Sequence, residues 1–184
     1  MNTSLHGRRA LVCGSTAGIG RACAMELAAA GASVTLIARD AAKLDATLSG
    51  LPRSAGQEHA ALAADFTDPA GLRRTVQESL IEARPYHILI NNTGGPPGGT
   101  AIDAPAEQYI AAFNAHIIAG QHLVQLLVPQ FRKAGYGRII NIISTSVKQP
   151  IPNLGVSNTI RAAVANWAKT LSVELGPFAI TVNN

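Results

Sequence analysis

The sequence predicts an α/β fold, a doubly wound parallel sheet held between two helical layers in a three-layer αβα arrangement. Three observations carry this. Short apolar segments alternate with amphipathic helical ones along the whole chain. A glycine-rich turn joins the first apolar segment to the first helical one. Apolar residues make up 47% of the chain but aromatics only 4%, so Ala, Leu, Ile and Val form the core, as where helices pack on a parallel sheet. At 184 residues the chain suits one domain, 1–184, with a sizeable core.

Each element has its own signal. Arg9 to Cys13 reads as strand one. Gly18 to Ala30 reads as a helix stopped by Gly31 at its C′ position. Val34 to Ala38 is strand two, and Asp40 caps a helix running to about Ser49. His59 to Ala64 is a weak third strand. Asp68 caps the next helix, Pro69 takes its first position, and it runs to about Ala83. His87 to Ile90 is strand four, followed by a Gly/Pro loop from Gly94 to Thr100. Ala106 to Lys133 reads as one long helix, bent near Pro129. Arg138 to Ile143 is strand five. Gly155 to Leu175 is a second long helix, ended by Gly176-Pro177, and Ile180 to Asn183 begins strand six. Repeated strand–helix–strand units imply right-handed crossovers. Internal repeats and linkers are absent. The fold is expected to be truncated after strand six, which then lacks a following cover.

The net charge of +4 and pI near 9.4 come without any Lys/Arg run, so the surface is ordinary, with some attraction for an anionic ligand. This argues against a nucleic-acid partner. Cys13 and Cys23 fall inside a strand and a helix and read as small buried hydrophobes. No histidine has metal-ligand spacing; His116 and His122 point to different faces of their helix. No stretch reaches the ~18 apolar residues of a membrane span, so a cytoplasmic protein without a membrane partner is expected.

Cys13-Gly14-Ser15-Thr16-Ala17-Gly18-Ile19-Gly20 links strand one to its helix. Gly14 permits a tight turn, Gly18 allows backbone amides close to a phosphate, and Gly20 lets the helix pack on the strand. The helix N-terminus offers free N–H groups and a positive dipole end to a pyrophosphate. A tight turn without any ligand is the other reading of the same residues.

The spacing G-x-x-x-G-x-G resembles the Thr-Gly-x-x-x-Gly-Ile-Gly loop of the classical short-chain dehydrogenase/reductase family, whose members carry a dinucleotide on a Rossmann fold. Cys13 departs from the family Thr. The resemblance implies cofactor contacts at Gly14, Ser15, Thr16, Gly18, Ile19 and Gly20. Strand two ends Ile37-Ala38-Arg39-Asp40. Ala38 stands where an NAD enzyme has Asp, and Arg39 follows as in NADP-preferring members, so NADP is expected, with NAD kept open by Asp40. A plain surface Arg is the alternative for Arg39. Asp65-Phe66 resembles the Asp-Val pair that flanks the adenine, and Asn91-Asn92-Thr93-Gly94 resembles Asn-Asn-Ala-Gly.

Family enzymes transfer hydride between nicotinamide and a carbonyl or alcohol, with a Tyr moving the proton, a Lys four residues on, a Ser on the carbonyl and an Asn behind. Gly137 to Ser144 resembles the strand that delivers the Ser, so Ser144 is retained. The Tyr position is Ser157 and the Lys position is Arg161, a register fixed by Arg161-Ala162-Ala163-Val164 and Ala168-Lys169-Thr170-Leu171. The Asn position falls at His116. A Ser hydroxyl is far less acidic than a phenol, and Arg cannot relay a proton. Arg161 retains the charge to hold the ribose or a phosphate. His116 offers a group titrating near neutrality, or is simply a core or dimer-surface histidine; Ser144 can simply end a strand; Lys148 reads as a solvated loop residue.

The run Ser146 to Leu154, then Ser157-Asn158, is similar to a divergent ketoacyl reductase-like subgroup that also lacks the Tyr. The resemblance covers the family's first two-thirds and leaves out a substrate-covering segment. It implies an NAD(P)(H)-dependent oxidoreductase of a small-molecule carbonyl or alcohol, 3-oxoacyl reductase-like; the alternative is a catalytically weak or inactive dinucleotide-binding scaffold. Val164, Trp167, Leu171 and the stretch 117–128 are expected to build a homodimer or homotetramer.

Overall fold

The computed structural model describes residues 3–54, 56–80 and 84–184. Its strands are β1 (Arg9–Cys13), β2 (Ser33–Ala38), β3 (Ala60–Ala63), β4 (Ile88–Asn91), β5 (Gly137–Asn141) and β6 (Ile180–Asn183). The helices are α1 (Gly18–Ala29), α2 (Ala41–Ser49), α3 (Pro69–Ser79), α4 (Ala106–Phe113), α5 (Ala119–Ala134) and α6 (Gly155–Leu175). All strand pairs are parallel, in the order β3-β2-β1-β4-β5-β6. The doubly wound sheet of the sequence reading is thus present. Its winding reverses between β1 and β4, where open α/β sheets leave a crevice at the carboxyl ends of their strands.

Alternate strand residues feed opposite faces. Leu11, Cys13, Ile37, Leu89 and Ile139 pack under α3, α5 and α6, through Leu72, Val76, Leu123, Leu127, Phe131, Leu171 and Leu175. Ala10, Val12, Val34, Leu36 and Ile88 pack under α1 and α2, through Ala24, Ala28 and Leu44. Burial on both faces is why these strands read as continuous apolar runs.

Helix caps follow the expected chemistry. Asp40 accepts a hydrogen bond from the Lys43 amide at 3.0 Å, and Asp68 one from Gly71 at 2.9 Å with Pro69 behind it. Gly31, at φ +100°, takes the left-handed step after α1. At the amino ends of the strands two histidines extend the backbone ladder. His87 Nδ1 accepts from the Arg9 amide at 3.1 Å, and His59 Nδ1 from Val34 at 3.0 Å.

The structure amends four expectations. The third strand is shorter than His59–Ala64, because His59 spends its ring on Val34 rather than its backbone on a neighbour. The helix after Asp68 is regular to Ser79, and its expected end near Ala83 lies outside the described residues. The long helix continues through Pro129; its irregularity is instead a π-helical turn at Asn114–Ile118, which carries His116 on its buried side. The 29 residues Ala106–Ala134 are also, against expectation, long and apolar enough on average to cross a membrane. Leu123, Leu127 and Phe131 of that stretch are fully buried in the core.

Candidate functional site

A cleft of about 620 Å³ opens where the winding reverses. The glycine loop forms its floor. Gly14 sits at φ +56°, and a Cβ there would fall 2.7 Å from Asn92 Nδ2 and 2.8 Å from the Asn92 carbonyl oxygen. A Cβ on Gly20 would fall 2.2 Å from the Gly14 carbonyl oxygen. Both positions therefore exclude a side chain on packing grounds. Gly18, at φ +51°, faces open space instead. Ala17 caps α1 without a side-chain acceptor, so the first-turn amides of α1 stay available to an anion in the cleft. That bare helix end suits a pyrophosphate.

Of the expected cofactor residues, Gly14, Thr16, Gly18, Ile19, Arg39, Asp65, Phe66 and Gly94 line the cleft. Ser15 is fully buried, and its hydroxyl donates to the Ile37 carbonyl at 3.2 Å, so it braces the loop from behind. Gly20 likewise acts through packing. Asp65 accepts from the Thr67 amide at 2.9 Å; that bond, with Arg39 adding to it, holds its carboxyl below the usual range. Arg39 is exposed at the cleft rim, and Asp40 beside it is committed to capping α2 and to Lys43 Nζ at 3.5 Å.

Asn91 lies elsewhere. It lines a small inner chamber of about 20 Å³ with His116, Gly120, Asn141, Ile142, Arg161 and Val164. Asn91 Nδ2 donates to Asn141 Oδ1 at 2.9 Å, while Asn91 Oδ1 is buried and accepts nothing among the described residues. Arg161 is half-buried, and its Nη1 donates to the Ile142 carbonyl at 2.7 Å. Burial pulls its pKa below the ordinary Arg value. His116 is 9% exposed, and burial pushes its pKa down to about 4, helped by the Arg161 charge and opposed by a hydrogen bond with the Gly94 backbone. The imidazole is therefore neutral near pH 7, and the expectation of a histidine titrating near neutrality does not hold for the free chain.

Ser144 lies beyond β5, which ends at Asn141 rather than at Ile143. Its hydroxyl accepts from the Ser146 amide at 3.1 Å and caps a short 3₁₀ turn. Neither Ser144 nor Ser157 lines the cleft or the inner chamber. Cys13 is fully buried, which raises its thiol to about 12, so it is no nucleophile.

The sequence profile of the short chain dehydrogenase family matches residues 8–184. The chain belongs to the short-chain dehydrogenase family. It is 29% identical over 173 residues to the ketoacyl reductase HetN of Nostoc sp., covering 94% of this chain and 60% of that one. Its fold superposes with a TM-score of 0.93 on L-sorbose reductase from Gluconobacter frateurii complexed with NADPH and L-sorbose, at 31% identity, covering 100% of this chain and 70% of that one. For 3-ketoacyl-(acyl-carrier-protein) reductase from Brucella melitensis complexed with NADH, the TM-score is 0.87 at 29% identity, covering 97% and 74%. This chain thus spans about 60% of the length of its Nostoc relative.

Short-chain dehydrogenases are NAD(P)-binding oxidoreductases of small molecules, and the cleft of this member holds residues that sequence reasoning passed over. Lys43 lines it beside Arg39. Its signal was available, since the third residue after a helix cap returns to the cap. Asn92, not Asn91, braces the glycine loop, donating to the carbonyls of Cys13 and Gly14, both at 3.3 Å. Consecutive strand residues face opposite ways, which separates this pair in principle. Asn141 gave no signal, because its partner comes from another strand. Val164 and Leu171 are buried in the chain's own core, and Trp167 packs on Gly120 and donates to Gln121 at 3.0 Å, so these three side chains of the expected interface make their contacts within the chain.

Proposed function

We propose that this chain is an NAD(P)(H)-dependent oxidoreductase of a carbonyl or alcohol substrate, 3-oxoacyl reductase-like, with a preference for NADP. The observation that carries the reading is the cleft itself: an uncapped α1 N-terminus at one side, with two cations, Arg39 and Lys43, at the other. Ala38 offers no carboxylate to a ribose diol, and Asp40 is already occupied as a cap, which favours a 2′-phosphate over NAD. The relative from Gluconobacter, complexed with NADPH, supports the same direction. The cofactor-facing group comprises Gly14, Thr16, Gly18, Ile19, Arg39, Asp65, Phe66, Gly94 and Arg161, with Ser15, Gly20 and Asn91 as supports.

A bound dinucleotide supplies the hydride. The chain's residues orient the substrate and manage the proton. Ser144 and Ser157 are the hydroxyls assigned to the carbonyl. Arg161 supplies a fixed positive charge, which stabilises negative charge developing on the substrate oxygen. A neutral His116 donates poorly, so water carries the proton with His116 orienting it. Positioning alone gives part of the rate enhancement. The exposed Ile110 and Phe113 on α4 support assembly as a homodimer or homotetramer, which sedimentation velocity tests.

A second reading, a dinucleotide-binding protein without turnover, is favoured by the same neutral His116 and by Ser157 in place of a phenol. Titration with NADPH and NADH, read by nicotinamide fluorescence, tests the binding. Saturable NADPH binding, weakened about tenfold or more by Arg39→Ala, supports the dinucleotide reading; no binding of either refutes it. A carbonyl screen with the binding-competent protein then separates turnover from its absence.

A further inference from the structure

The end of the sheet remote from the glycine loop carries a second cavity. It measures about 370 Å³ and opens at the amino ends of β2, β1 and β4. That is room for a small molecule. His6, Arg9, Ser33, Glu58, Arg84 and His87 line it. Gln57 lines it as well, with its amide nitrogen tied to the carbonyls of Ala28 and Ala32, both at 2.8 Å.

Strand register gives the cavity two unlike sides. Arg9 lies between Ser33 of β2 and His87 at the start of β4, whose amide donates to the Arg9 carbonyl at 2.8 Å. On the β2 side Ser33 Oγ accepts from the Glu58 amide at 3.0 Å, so a hydroxyl and a carboxylate adjoin there. The Arg9 side chain reaches the other way. Its Nη1 donates to the Arg84 carbonyl, and its guanidinium lies 4.6 Å from the centre of the Tyr86 ring. The β4 side therefore gathers Arg9, Arg84 and His87.

These are donors in want of acceptors. Arg9 Nε is buried and donates to nothing among the described residues. The sole ion pair among them is Lys43–Asp40, so neither Arg9 nor Arg84 is paired with an acid. His87 Nδ1 accepts from the Arg9 amide at 3.1 Å, so the neutral ring carries its proton on Nε2, which has no partner among the described residues. Behind this side Arg8 and Arg138 stand 3.9 and 4.1 Å from the centre of the Tyr136 ring, which meets His87 edge-on, and they add to the positive field. A phosphate monoester, at about −1.5 to −2 charge, answers two guanidiniums and an imidazole N–H together. A monocarboxylate leaves one cation unanswered. Glu58 repels a second anionic group on the β2 side and accepts from hydroxyls instead.

We propose that this cavity binds a small phosphorylated polyol, with its phosphate against Arg9, Arg84 and His87 and its hydroxyls against Ser33 and Glu58. The cavity lies at the opposite end of the strands from the dinucleotide cleft, so the two fill independently, and the inference stands apart from the oxidoreductase reading.

The test follows the imidazole resonances of the full chain, histidine-labelled, by NMR during titration with glycerol 3-phosphate, inorganic phosphate or glycerol. Glycerol 3-phosphate is expected to shift His87 saturably and to leave His116 of the inner chamber unmoved. Inorganic phosphate, without hydroxyls for Glu58, gives the same shift at about tenfold lower affinity, and glycerol gives none. Arg84→Gln changes an exposed side chain and leaves in place the carbonyl that Arg9 uses. It weakens glycerol 3-phosphate about tenfold while the NADPH titration stays as in the parent. Glu58→Gln narrows the preference for glycerol 3-phosphate over inorganic phosphate. No response at His87, an equal response to glycerol, or undiminished affinity in Arg84→Gln overturns the site. Equal affinities of the parent for the two phosphates overturn the polyol as its ligand. A response at His116 alone also overturns the proposal, since the phosphate then lies in the dinucleotide cleft.

Discussion

Protonating His116 should unfold this protein by an amount that its burial sets. The unfolded chain takes up a proton near pH 6.5, whereas the folded one resists until about pH 4. A depressed folded pKa means that the unfolded state binds more protons throughout that window. Stability is therefore complete above pH 6.5 and falls as the pH drops toward 4. At about 1.4 kcal/mol per pH unit, the window is worth about 3 kcal/mol. For a domain of this size that corresponds to a Tm lower by about 6–12 °C. His59 and His87 also have lowered pKa values, chiefly from burial, and add to the acid loss. They are unchanged in His116→Asn, so the difference between the proteins isolates His116. Urea unfolding followed by circular dichroism between pH 7.5 and 4 is the assay. The variant should lose about 3 kcal/mol less than the parent over that range. Parallel stability curves for the two proteins would refute the buried, neutral imidazole.

Gly20→Ala drives a Cβ to within 2.2 Å of the Gly14 carbonyl oxygen, so it should cost about 1–3 kcal/mol in thermal unfolding and also abolish NADPH binding. Phe131→Ala empties a fully buried site under the sheet and should cost about 3–5 kcal/mol in urea unfolding with NADPH affinity retained once folded. Asp68→Ala removes the α3 cap and should cost about 1 kcal/mol by the same measurement. Lys43→Ala should weaken NADPH more than NADH in the fluorescence titration, because its charge lies at the rim with Arg39.

The parts of the fold that obey local rules were legible in the sequence. Asp40, Pro69 and Gly31 act within a few residues of themselves, and their helix ends fall where local chemistry puts them. The central strands β1, β2 and β4 were legible because both their faces are buried and the runs are apolar. What escaped depends on partners distant in the chain. His59 and His87 look like ordinary strand residues until the neighbouring strand's amide is seen to donate to each ring. The π turn at Asn114–Ile118 has no proline to announce it, while Pro129, which does, leaves the helix continuous. At the site, the cleft residues were found through spacing. The neutrality of His116 was not, because it follows from burial and from a charge 45 positions further along the chain.

The glycine loop is weaker evidence for a ligand than its pattern suggests, and the structure says why. Gly14 and Gly20 are required by contacts inside the protein, with Asn92 and with each other, so they would persist in a chain that bound nothing. Gly18 has open space before it, yet its positive φ is also enough to require glycine. Folding does not require Arg39 and Lys43 to crowd one rim. Neither does it require a half-buried Arg161 with no acid paired to it among the described residues. A relic has no reason to keep the half-buried Arg161, which is costly without an anion to meet it. The case for function therefore rests on the two cations gathered at the rim and on the half-buried Arg161 in the inner chamber, and on whether an anion binds to each of them.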